Sequence, residues 1–91
     1  MISVEILQMP LFKRAYKKLH PKERTAVQEA IRVLMVNPEV GERKKGDLNG
    51  VWVYKFKLNR QEILLAYEWT EKQRILLSLG SHENFYKNLK R

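Results

Sequence analysis

The residues of this chain best suited to chemistry are basic, aromatic or imidazole-bearing. Lys55 and Lys57 stand two positions apart in the run VWVYKFKL at 51–58. In an extended strand alternate side chains share a face, so both ammonium groups can grip one phosphate and stabilise charge developing on it during phosphoryl transfer. The same spacing also describes an ordinary solvated sheet face. His82 follows Gly80-Ser81, and Tyr86 lies four positions later, one turn away if the tail is helical. An imidazole titrating near neutrality can act as general acid or base, and a tyrosine ring can stack on an extruded base or support the histidine through its hydroxyl. Without a partner in view, a histidine near a chain end also reads as merely exposed. Arg60, in the turn after the lysine run, suits a transition-state clamp, and Glu68, on the next run, suits a base or an orienting group. Turn arginines and edge glutamates are common, so neither stands out on its own. His20 falls in an interhelix turn and takes no chemical role.

No glycine-rich phosphate loop, serine nucleophile elbow, metalloprotease helix motif or paired-cysteine zinc motif is present. The absence of cysteine and the wide separation of the two histidines argue against a disulfide framework or a structural zinc. Eighteen Lys and Arg against ten Asp and Glu leave a net charge of +8, a positive field that attracts polyanions and makes nucleic acid the first partner to consider. Such charge also serves simply to keep a small protein soluble. Within it, the segment EVGERKKGDLNG at 39–50 holds three of the four glycines beside Arg43, Lys44 and Lys45 and has no periodicity. It reads as a mobile basic loop placed for phosphate contact, and Lys87 carries the same charge into the tail.

The elements that must position these groups follow from periodicity. Ninety-one residues suffice for one domain, 1–91, and not for two. Ile2, Val4 and Ile6 alternate as in a half-buried strand over 2–8. Pro10 opens an amphipathic helix with Leu11, Phe12, Ala15, Tyr16 and Leu19 on one side and Lys13, Arg14, Lys17 and Lys18 on the other. His20-Pro21 ends it and starts a second helix, whose stripe is Ala26, Val27, Ala30, Ile31, Leu34 and Met35 and whose end is Asn37-Pro38. Three strand-like runs, 51–58, 62–69 and 74–80, are separated by the turns NRQ and TEKQ and form an antiparallel meander. Trp52, Tyr54, Phe56 and Leu58 should pack on the helices, leaving the face of Val51, Val53, Lys55 and Lys57 open. Phe85 and Leu89, four apart after a Ser81 cap, suggest a short C-terminal helix. The fold class is α+β, β-α-α-β-β-β, with an antiparallel sheet packed against a helical hairpin. No apolar run approaches a membrane span and MISVEILQMP lacks the order of a secretion signal, so a soluble cytoplasmic protein with no membrane partner is expected.

This order of elements, together with Leu48-Asn49-Gly50 leading into Tyr54-Lys55-Phe56-Lys57-Leu58, then Leu65-Ala66-Tyr67, then Gly80-Ser81-His82 with Tyr86, resembles the RelE/ParE superfamily of toxins from type II toxin–antitoxin systems. The resemblance spans essentially the whole chain. It implies a metal-independent endoribonuclease, without organic cofactor, that enters the ribosomal A site and cuts the exposed messenger through attack of the messenger's own 2′-hydroxyl on the adjacent phosphate. It also implies a cognate antitoxin, bound as a hetero-oligomer, that covers this face or displaces the tail. By the same resemblance, Lys55 and Lys57 match the paired strand lysines, His82 the histidine of related ribosome-dependent nucleases, and Tyr86 the terminal aromatic. The pattern departs at Leu64, where the RelE type carries an arginine on the middle strand of the meander; Arg60 is the candidate to stand in from the turn. Two alternatives remain at this stage: a ParE-like inhibitor of DNA gyrase without nuclease activity, and a non-catalytic RNA-binding module.

Overall fold

The computed structural model describes residues 4–45 and 50–81. In chain order the elements are β1 (Glu5–Gln8), α1 (Pro10–Lys17), α2 (Pro21–Val36), a 3-10 turn (Pro38–Val40), β2 (Glu42–Arg43), β3 (Trp52–Leu58), β4 (Gln61–Trp69) and β5 (Gln73–Ser81). The expected C-terminal helix lies outside the described residues. Among the described residues no helix is long and apolar enough to cross a membrane.

The meander forms as the alternation predicts, β3 pairing antiparallel with β4 and β4 with β5. Three features differ from the sequence expectation. The sheet is mixed, in the order β1-β5-β4-β3-β2, because β1 joins the far edge parallel to β5. A parallel partner must be reached through a crossover, here the helix pair, and such pairing leaves no local signal in sequence. As an edge strand β1 is exposed along its length, not half-buried, and shows Ile6 and Leu7 to solvent. The stretch read as a loop without structure contains β2, whose Glu42 and Arg43 pair with Val53 and Trp52.

Both helices lie on one face of the sheet. Phe12 of α1 and Val27, Ala30 and Leu34 of α2 are buried against Leu58, Leu65, Tyr67, Leu76 and Leu79 of the strands. Burial of each large apolar side chain contributes about 1.5–3 kcal/mol. Pro10 and Pro21 sit at the helix starts, where no intrahelical N–H is needed. His20 is the N-cap residue of α2, with its backbone N–H donated to Glu23 Oε1 at 3.0 Å, in keeping with a purely structural place in the turn. Arg24 closes the hairpin, donating Nη2 to the Lys17 carbonyl at 2.9 Å and lying 5.6 Å over the Tyr16 ring.

Two buried polar anchors fix the rest. Arg74, 4% exposed, reaches from β5 to the end of α2. Tyr67, wholly buried on β4, donates its hydroxyl to the Pro38 carbonyl and accepts the Gly41 N–H at 3.1 Å. Burial pushes the Tyr67 hydroxyl pKa up, so it stays neutral and able to donate. This anchor delivers the chain from α2 to β2 with no room for a side chain at residue 41. A Cβ on Gly41 would lie 2.6 Å from the Tyr67 hydroxyl oxygen and 2.9 Å from the Val53 carbonyl. Gly41→Ala is therefore expected to lose about 1–3 kcal/mol in urea denaturation. A Tyr67→Phe background, which removes the nearer oxygen, should lessen that loss.

Candidate functional site

The sheet face turned away from the helices carries Lys55 and Lys57. Its register follows from the hairpin between β3 and β4, in which Leu58 pairs with Gln61 across a two-residue turn, Asn59-Arg60. Both turn residues have positive φ, 51° and 71°, the pattern of a type I′ turn, whose twist matches the strands it joins. That register places Lys57 directly opposite Glu62, and Lys55 opposite Leu64. Leu64 in turn is opposite Gly80, and Ile63 opposite Ser81.

Lys55 and Lys57 are exposed and share this face. Arg60 is exposed at the same end of the sheet. The row Lys55–Leu64–Gly80 spans two strand spacings, so β5 ends about 10 Å across the sheet from the lysine strand. His82, Tyr86 and Lys87 lie outside the described residues. Glu68 shares the face but not the place: it stands beside Gly50, four positions along β4 from Leu64, roughly 13 Å from the lysine row. The structure thus brings together Lys55, Lys57 and Arg60 and sets Glu68 apart.

Sequence reasoning missed two carboxylates here. Glu62 is the cross-strand neighbour of Lys57 and is exposed. Counting the turn as Asn59-Arg60 rather than NRQ would have revealed it. Glu42, opposite Val53 on β2, also lies on this face; its carboxylate accepts Lys44 Nζ at 2.9 Å. The Lys44 hydrogen bond and charge, with a smaller contribution from Lys55, hold the Glu42 pKa below its ordinary value and keep it ionised.

The expected basic loop divides. Arg43 pairs with Trp52, so alternation turns its side chain to the helix side of the sheet edge, away from Lys55. Lys44 is held by its backbone N–H to the Val51 carbonyl at 2.8 Å and by its ammonium to Glu42. Lys45 is exposed. This segment is anchored as far as Lys44 rather than mobile throughout.

The lysine face is also less open than its sequence pattern implied. Val53, Leu64 and Ala66 are each at most 1% exposed and form a second apolar cluster with Val51 and Leu77. Position 64, where the resemblance calls for an arginine, is therefore part of a packed apolar floor. On the helix side, a cleft of about 480 Å³ opens between α1 and the ends of β3 and β5, with Leu11, Leu19, Leu58 and Leu79 in its walls and Arg14, Lys18 and Ser81 among its polar lining. Among the described residues no cluster of three His, Cys, Asp or Glu side chains is placed to hold a metal ion.

A search of curated protein sequences finds no match. Several solved structures share the fold. The RelBE2 toxin–antitoxin complex of Mycobacterium tuberculosis superimposes with a TM-score of 0.74 at 20% identity, covering 89% of this chain and 100% of that one. The intact RelBE complex of E. coli gives 0.69 at 19% identity, covering 89% and 99%. The YoeB dimer from Staphylococcus aureus gives 0.68 at 20%, covering 87% and 97%. At these identities the likeness speaks to fold. A family model, the ParE-like toxin of type II bacterial toxin–antitoxin systems, matches residues 6–90. With that match across nearly its whole length, the chain belongs to the ParE-like toxin family of type II bacterial toxin–antitoxin systems.

Proposed function

We propose that this toxin is a ribosome-dependent endoribonuclease that cuts messenger RNA in the A site and so arrests translation. The observation that carries the reading is the grouping of Lys55, Lys57 and Arg60 at one end of the sheet face, in the rows where β5 ends at Gly80-Ser81. His82 is the next residue in the chain. In the reaction a base removes the proton from the messenger's 2′-hydroxyl and its oxygen bonds to the adjacent phosphorus. The bond from phosphorus to the 5′-oxygen breaks, and an acid protonates that oxygen, leaving a 2′,3′-cyclic phosphate and a 5′-hydroxyl. Lys55, Lys57 and Arg60 neutralise the phosphoryl oxygens, His82 transfers a proton, and Tyr86 positions the base. No metal takes part.

The toxin works in the cytoplasm and is held inactive by a cognate antitoxin in a hetero-oligomer. The RelBE complexes of similar fold contain such a partner. A second reading, a gyrase-directed toxin that binds without cutting, is favoured by one observation. Leu64 is fully buried where the resemblance calls for an arginine, so that position presents no cation. Induced expression without antitoxin decides between them. Codon-phased messenger ends that disappear with His82→Ala support the nuclease. Intact messengers with inhibited supercoiling move the protein to the gyrase reading.

Arg60 supplies a finer test. A non-glycine residue at φ 71° is strained, and strain of this kind is retained where a side chain is needed. Arg60→Gly relaxes the turn and should stabilise the protein by about 0.5–1 kcal/mol. Cleavage should fall roughly 10-fold or more, reflecting loss of a charge near the phosphate. A gain in stability with full activity would remove Arg60 from the site.

A further inference from the structure

One carboxylate on the lysine face is left without an ion pair. Glu62 stands opposite Lys57, one step along the hairpin from the pair Leu58–Gln61 that closes the two-residue turn. A closing pair of this kind is the hydrogen-bonded one, so Lys57 and Glu62 form the next, non-hydrogen-bonded pair, whose side chains stand closer together. Even so, among the described residues the ion pairs are Arg32 with Glu29 and Lys44 with Glu42, and Glu62 makes none. Its backbone N–H and C=O, turned away from β3, face the side of β4 on which β5 pairs.

That side is where β5 ends. Its final pairs are Leu64 with Gly80 and Ile63 with Ser81, so Glu62 is the next position of β4 in the same register. Side chains alternate along a strand, and Gly80 lies on the face of Leu64 and the lysines, so one further residue of β5 would return to that face beside Glu62. That residue is His82, which lies outside the described residues, and covalent geometry keeps its Cα within about 3.8 Å of that of Ser81. Neither of the other two carboxylates near the lysine strand can take this place. Glu42 is held by Lys44 and stands three strand spacings, about 14 Å, from β5, and Glu68 lies beside Gly50 toward the far end of β4. The cations near the end of β5 are Lys57 and Arg60 on the lysine side and Arg14 and Lys18 of α1, which line the cleft together with Ser81. In such company an imidazole gives up its proton readily, and a carboxylate beside it opposes that loss.

We propose that Glu62 is the positioning residue for His82, its carboxylate accepting an imidazole N–H and turning the ring toward the phosphate held by Lys55 and Lys57. The proposal rests on the nuclease reading for what His82 does, and not for the pairing itself. Glu62 touches no substrate. It fixes which ring nitrogen carries the proton and sustains the imidazolium among the surrounding cations. Placed between Lys57 and His82, one negative charge serves both positive ones and keeps them from repelling each other.

The test is a proton NMR titration of the full chain, whose two histidines, His20 and His82, are told apart by His20→Asn. Glu62→Gln is expected to lower the His82 pKa by roughly 0.5–1 unit and to leave His20 where it was. Glu62→Asp keeps the charge on a shorter arm and should fall between. Glu42→Gln removes the same charge from the far side of the lysine strand and should not move His82. A His82 shift below about 0.2 unit in Glu62→Gln, or an equal shift in Glu42→Gln, would overturn the proposal. On ribosome-engaged messenger Glu62→Gln should lower kcat roughly 10-fold without raising KM, and move the limb of the pH profile set by His82 to lower pH by the same amount. If the titration shifts as expected and the wild type cuts no messenger, the nuclease reading fails and the pairing stands. If messengers are cut and the titration does not move, the pairing fails and the nuclease reading stands.

Discussion

Replacing Arg74 with alanine is expected to cost about 3–5 kcal/mol of folding stability, a large share of what a domain this size possesses. Arg74 is 4% exposed, and its guanidinium meets carbonyl groups on two sides. It donates Nε to Leu34 at 2.7 Å and Nη2 to Met35 at 3.1 Å, both in the last turn of α2. Nη1 donates to the carbonyls of Thr70, in the turn between β4 and β5, and of Gln73, the first residue of β5, at 2.6 and 3.0 Å. Helix-terminal carbonyls have no intrahelical donor, and a cation there also opposes the negative end of the dipole. Alanine leaves these acceptors short of partners and opens a gap beside Trp69, whose ring centre lies 5.9 Å from the guanidinium carbon. The melting temperature should drop by roughly 15–30 °C. Arg74→Lys should recover only part of this, because a single ammonium cannot span the helix end and the turn together. A loss under 1 kcal/mol in urea would show that α2 is held by its apolar stripe alone.

The second large effect is on activity with the fold left intact. Lys55 and Lys57 are exposed, so changing both to alanine should move stability by less than about 0.5 kcal/mol. On the nuclease reading, cleavage of ribosome-engaged messenger should fall roughly 10³-fold, since the two charges proposed to face the developing phosphorane are removed together. The comparison that matters is between kcat and KM. A charge that only helps the RNA bind shifts KM, whereas a charge felt mainly in the transition state lowers kcat. If the double variant cuts at the wild-type rate, the lysine row is a solvated sheet face and nothing more.

The sequence made β3 legible because strict alternation separates Trp52, Tyr54, Phe56 and Leu58 from Val53, Lys55 and Lys57, and the first set packs against the helix-side core, Leu58 buried and the three aromatics partly so. It also showed β4 as a strand but hid its second buried face. Ile63, Leu64, Leu65 and Ala66 form a continuous apolar run, as in strands covered on both sides, and the open lysine face was inferred from β3 alone. β2 is too short for periodicity to reveal; it exists because Tyr67, 26 positions from Gly41, fixes the chain that leads into it. Arg74 looked like the polar first residue of a strand, since nothing local announces that a helix end will lie over it. At the site, the lysines and the turn arginine could be read from spacing, whereas the Lys57–Glu62 pairing depended on a turn length mistaken by one residue.

The order of strands in the sheet bears on how this toxin comes into being. Glu5 pairs with Gln73, and α1 and β1 both pack against β5, the last strand of the described chain to leave a translating ribosome. Until β5 emerges, β1 has an unpaired edge on both sides and Phe12 has no sheet to cover. Closure of the sheet must therefore wait until β5 has been made, and closing so long a loop makes folding slower than that of a locally connected bundle. This toxin thus acquires its shape only once β5 has followed all the elements that pack on it.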